Sequence, residues 1–166
     1  MAPEIEERVL SLLSAIEVPS DADEQIEVMG AEAVNVACEV ALGTYVALRP
    51  KVRTNAAAVV SEMHNEQAKE TLALLVTDPD DDVAIRALRA VGRRDEPELL
   101  ARAALILRRP DLAPLVAVEA VDALAASADL PIAREALDEY RQTKEEHAPA
   151  HRRSSVVQQA LDRVAD

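Results

Sequence analysis

A few side chains in this 166-residue sequence combine reactive types with suggestive spacing. His147 and His151 lie four apart, the spacing at which two imidazoles on one helix face share a metal, with Glu145 and Glu146 beside them. Pro149 falls between the two histidines and disrupts that geometry, so an exposed linker is expected there instead of a metal site. Asp78, Asp80 and Asp82 resemble the start of a calcium loop, but such a loop needs Gly at its sixth place and Glu at its twelfth, where this chain has Val83 and Arg89. Carboxylates at the start of a helix cap its free amides and oppose its dipole, and that role is expected for Asp80 to Asp82. Cys38 is the single cysteine; it cannot form an internal disulfide, and its Ala/Val-rich surroundings mark it as core packing. His64 falls at a helix junction with no nucleophile beside it, which suits a turn residue better than a base.

Charge is more informative than these motifs. The chain has 18 Lys plus Arg against 31 Asp plus Glu, a net charge of −13, yet residues 86–109 hold seven basic and three acidic side chains. At about 100° per residue, Val83, Ala87 and Val91 share one side of a helix, and Arg86, Arg89 and Arg93 form a stripe on another. The corresponding places on neighbouring helices are Asn55, Ala58 and Glu62 before it and Glu119, Asp122 and Ala126 after it. Helices pack about 8–10 Å apart, so the arginines can reach Glu62, Glu119 or Asp122 as a ladder of exposed ion pairs, or stay free for an acidic partner.

The elements that carry these residues are helices. The sequence has 32 Ala, 19 Leu, 19 Val and 6 Ile, against two Tyr and no Phe or Trp, and only three Gly, a composition that favours closely packed helices over a sheet. Pro19, Pro50, Pro79 and Pro110 recur at intervals of 31, 29 and 31 residues, each between two apolar helical runs. After the prolines one stripe repeats, as Val52, Ala56, Ala57, Val60, then Val83, Ala87, Leu88, Val91, then Val116, Ala120, Val121, Leu124, with a worn copy at Ala160, Leu161 and Val164. Before them lie partner helices such as 66–76 and 98–107. The reading is a single domain, 1–166, of about five helix-turn-helix units at 3–30, 31–62, 64–94, 96–127 and 130–165. No unit buries its stripe alone, so neighbours must stack.

The stretch from Leu74 to Gly92 resembles the HEAT repeat family. Leu74 and Leu75 stand for its leucine pair, Asp78 to Asp80 for its Asp-rich turn, Val83 for the residue opening the second helix, Ala87 for the buried alanine, and Val91 with Gly92 for the closing pair. The family's usual Arg directly after that Val is Ala84 here. The resemblance implies an all-α solenoid that winds as a right-handed superhelix, with the second helices of successive units lining the concave face and the arginine stripe on it. It is specific for fold and says little about function.

Catalysis has no identifiable carrier. The di-iron hydroxylases of this architecture carry His-Glu pairs on successive repeats, and no His-Glu dipeptide occurs here; the repeat-based alkylpurine glycosylases use a basic face with Trp and Tyr. No cofactor and no metal are implied. The acidic balance and the lack of aromatic platforms argue against nucleic acid and anionic membranes as partners. Met1 to Leu13 carries Glu4, Glu6 and Glu7 where a signal peptide has positive charge, and no apolar run reaches the ~18 residues of a membrane span, so a cytoplasmic chain is expected.

The function expected from the sequence is therefore a non-catalytic interaction module or scaffold. It would bind an acidic or phosphorylated segment of a protein partner through Arg86, Arg89 and Arg93, with Glu62, Glu119 and Asp122 around them. The alternative is an accessory subunit or lyase-like factor of an enzyme, holding a small molecule or prosthetic group in its groove. Ile5, Val9 and Leu12 at one end and Val156, Val157 and Leu161 at the other would serve a homodimer if exposed.

Overall fold

The computed structural model describes residues 3–147, with side chains to Thr143. His151 and the apolar places at 156–164 lie outside the described residues, as do the side chains of Glu145, Glu146 and His147. The described residues form nine helices: α1 (Pro3–Leu13), α2 (Ala22–Met29), α3 (Ala31–Ala41), α4 (Pro50–Glu62), α5 (Glu66–Leu75), α6 (Asp81–Val91), α7 (Pro97–Ile106), α8 (Pro114–Ala126) and α9 (Pro131–His147). In chain order they run as four pairs and a ninth helix; Pro19, Pro79 and Pro110 each fall between the two helices of a pair and Pro50 opens the second helix of its pair, as the proline spacing marks. Pro50, Pro97 and Pro114 each open a helix at a first-turn position, where the missing N–H costs nothing. By their contacts the residues divide into two units, Met1–Ala87 and Leu88–Asp166, with the division inside α6.

In the first unit α3 and α4 form the central pair, and both touch α1, α2 and α5. The sequence of α3, AEAVNVACEVA, is apolar nearly all round, so it suits a helix covered on most sides; Ala33, Val34, Val36, Ala37, Cys38, Val40 and Ala41 are buried. Cys38 is core, and burial pushes its thiol above the ordinary range, which removes the thiolate that reactivity needs. Of the amino-terminal cluster, Val9 is fully buried and turns inward from α1 with Leu13, while Ile5 and Leu12 are half-buried.

Polar links join the turns of this unit. The Asn55 amide donates to the Leu13 carbonyl at 2.9 Å, satisfying a free acceptor at the end of α1. Asn65 caps α5, its side-chain oxygen accepting from the Ala68 N–H at 2.9 Å. Asp80 accepts from the Asp82 N–H at 3.1 Å and so caps α6, as expected. Asp78 accepts from the Asp80 N–H at 2.9 Å and pairs with Arg53, whose Nε donates to the Ala41 carbonyl at 3.0 Å. Arg53 directly follows Val52. The arginine that the repeat pattern lacks at Ala84 is thus present one unit earlier, and it reaches the aspartate in the turn between α5 and α6.

In the second unit α7, α8 and α9 pack on one another. The α8 helix is the second one that is apolar nearly all round, with Val116, Ala117, Val118, Ala120, Val121, Ala123 and Leu124 buried. Gly92 closes against it: a Cβ added there would stand 3.1 Å from the Ala123 Cα. Asp95 takes a left-handed backbone with φ of 48°, and its carboxylate accepts from the buried Ser127 hydroxyl. That link ties the α6–α7 connection to the end of α8. His64 sits exposed in the α4–α5 turn.

Candidate functional site

Arg86, Arg89 and Arg93 are all exposed while Val83, Ala87 and Val91 are buried, so the helical spacing placed the stripe correctly. Its members have different surroundings. Arg89 directs Nε and NH2 at Glu119 Oε1, at 3.0 and 2.5 Å, and these bonds hold its guanidinium proton more firmly than usual. Arg93 NH1 donates to the Arg89 carbonyl at 3.0 Å, and both Arg93 and Asp122 have further partners. In the second unit one of the pairs within reach by spacing, Arg89 with Glu119, is formed. Exposed pairs of this kind contribute about 0.2–1 kcal/mol each. Arg86 belongs to the first unit, where it borders a shallow groove of about 270 Å³ with Pro19, Asp23, Asn55, Ala58 and Glu62. This brings Arg86 and Glu62 to one groove, while the Asn55 amide there is taken up by the end of α1.

A larger cavity, about 640 Å³, lies in the second unit between α7, the turn that follows it, and α9. Its apolar lining comes from Ala104, Leu107, Pro110, Leu112 and Ala136 together with Tyr140, and its charged lining from Arg108, Arg109 and Glu139. Alanines at 104 and 136 leave room that longer side chains would fill. The Arg108 guanidinium grips Glu139 with both arms, Nε to Oε1 at 3.1 Å and NH2 to Oε2 at 2.7 Å, which raises its proton affinity. Thr143 donates back to the Glu139 carbonyl at 3.0 Å, and burial pushes the Tyr140 phenol up, so it stays neutral at physiological pH. Arg109 is exposed and makes no ion pair among the described residues.

None of the six residues singled out from the sequence lines this cavity. One signal for it was present, since Arg108 and Arg109 close the basic island of residues 86–109 and Tyr140 is one of only two aromatic residues. What hid it is that the space depends on Ala104 and Ala136 being small, which an alanine-rich sequence does not signal. Among the described residues no group of three or more His, Cys, Asp or Glu is arranged to hold a metal ion. No described helix is long and apolar enough to cross a membrane.

These elements define the class: an all-α fold of paired helices in series, as the repeat spacing implied. No family model and no curated protein matches the sequence. Among solved structures, the chain is similar to human deoxyhypusine hydroxylase in complex with glycerol, with a TM-score of 0.59 and 20 % identity. The match covers 98 % of this chain and 62 % of that one, so the chain spans less than two thirds of its length. The likeness shows that the fold is the helical solenoid expected from the sequence. It also corrects the expectation of a non-catalytic scaffold, because the fold this chain shares over nearly its whole length is one that carries an enzyme.

Proposed function

We propose that this chain is a HEAT-like repeat protein that acts as a subunit or accessory factor of an enzyme and holds a small molecule or prosthetic group for it. The observation that carries this reading is the cavity between α7 and α9. Its volume, about 640 Å³, falls in the range of small-molecule sites, and its lining has the usual character of such sites, an apolar floor with a few charged groups at fixed places. The enzyme fold that the chain shares favours the same reading, while the hydroxylase activity in that protein's name stays with that protein. The fold alone is compatible with many activities, so the reading depends on the site.

Native mass spectrometry of the full chain purified gently from its own cells tests it. The expected result is a species heavier than the bare 17.9 kDa chain. The extra mass should be lost in an Ala104→Trp variant, whose indole fills the cavity from α7. A bare chain in both preparations, or the same adduct on both, contradicts the reading.

A further inference from the structure

Which molecules the cavity accepts follows from its charges. The charged groups that line it are Arg108 and Arg109 from the end of α7 and its turn, and Glu139 from α9. Arg108 and Glu139 offset one another's charge through two hydrogen bonds in a bidentate fork, with both side chains more than half exposed. One positive charge, that of Arg109, remains over. In a chain of net charge −13 this is a local exception; Asp111, two residues on, is the nearest carboxylate in sequence to Arg109, and charges beyond about 8 Å are screened at physiological salt.

The remainder of the lining is apolar or neutral. Leu107, Pro110, Leu112 and the two alanines offer only hydrocarbon, and the Tyr140 phenol, kept protonated by burial, does not repel an anion. At about 30 Å³ for each water-sized group, the volume has room for roughly 20 of them. A bare inorganic anion would leave most of that lining wet and gain nothing from it, whereas a purely apolar molecule would leave Arg109 unpaired. A head with two negative charges would bring one more than the site balances.

We propose that the α7–α9 cavity selects a small monocarboxylate with an apolar body, its carboxylate paired with Arg109 and its body on Leu107, Leu112, Ala104 and Ala136. This rests on the small-molecule reading above and adds the class of ligand. Arg109 is a head-group contact and the specificity determinant, while Arg108 is a positioning residue that keeps Glu139 from competing for Arg109.

Isothermal titration of the full chain with octanoate, 1-octanol and octylammonium tests the proposal, because the three share one body and differ in the charge of the head. Octanoate is expected to bind up to about fivefold more tightly than octanol, the scale of one ion pair with an exposed arginine, and octylammonium more weakly than either. In Arg109→Ala its affinity should fall to that of octanol. Arg102→Ala, which removes an exposed arginine of α7 outside the cavity, should leave all three affinities unchanged. The Arg109 side chain is exposed and makes no ion pair among the described residues, so its loss should leave helicity and melting temperature as in the parent, and both are measured alongside. If octanol binds as tightly as octanoate, or the preference survives in Arg109→Ala, the head-group assignment is overturned while the cavity reading stands. If none of the three binds, the monocarboxylate assignment is overturned, and the native mass of the chain and of Ala104→Trp decides the cavity reading separately.

Discussion

Replacing Arg53 by Ala is expected to lower the unfolding free energy by about 2–4 kcal/mol, because one side chain closes three gaps at once. Its Nε satisfies the Ala41 carbonyl at the end of α3, its NH2 pairs with Asp78, and its NH1 stands 3.7 Å from Asp80 Oδ2. The Asp78 side chain is only 10 % exposed, so without the arginine a carboxylate is left desolvated beside a free carbonyl. Arg53 itself is 23 % exposed, which places the loss below that of a fully buried pair. Arg53→Lys can keep a charge near Asp78 but cannot hold Ala41 and Asp78 with one planar fork, so it should recover part of the loss only. Urea unfolding of both variants, with Asp78→Asn to complete a cycle, measures the coupling. A loss below about 0.5 kcal/mol for Arg53→Ala would place this contact among ordinary surface pairs.

Gly92→Val is expected to cost about 1–3 kcal/mol by overpacking, with Gly92→Ala a smaller fraction of it. The atom an added Cβ would meet, 3.1 Å away, is the Cα of Ala123, and main chain cannot rotate aside as a side-chain end can. Relief therefore requires α8 to move, and α8 is the apolar core helix of its unit. The two substitutions act in different units, so their effects should add in a double variant to within about 0.5 kcal/mol. Denaturant midpoints of the single and double variants check both points.

The fold was legible because its signals repeat. Four prolines about 30 residues apart, and a Val-Ala-Val stripe after three of them, mark both the helices and their buried faces, and Val52, Val83 and Val116 all prove buried. Contacts within one helix were legible for the same reason, which is why Arg86, Arg89 and Arg93 came out on the exposed side. Contacts between helices were legible only where the unit length could be used as a ruler: Glu119 lies 30 residues from Arg89 and was within reach of that estimate. Arg53 and Asp78 are 25 apart and missed it, although the Val52–Arg53 pair stands where the repeat pattern puts its arginine. The cavity was harder still. It exists because Ala104 and Ala136 are small, and an alanine in a sequence with 32 of them carries no sign that the space beside it is empty.

The location of the site is most directly tested by the backbone amide spectrum of the full chain titrated with octanoate. Shifts confined to the neighbourhood of residues 104–112 and 136–143 would agree with a ligand seated between α7 and α9. Shifts centred on Asn55, Glu62 and Arg86, in the groove of the first unit, or no saturable shifts at all, would contradict it.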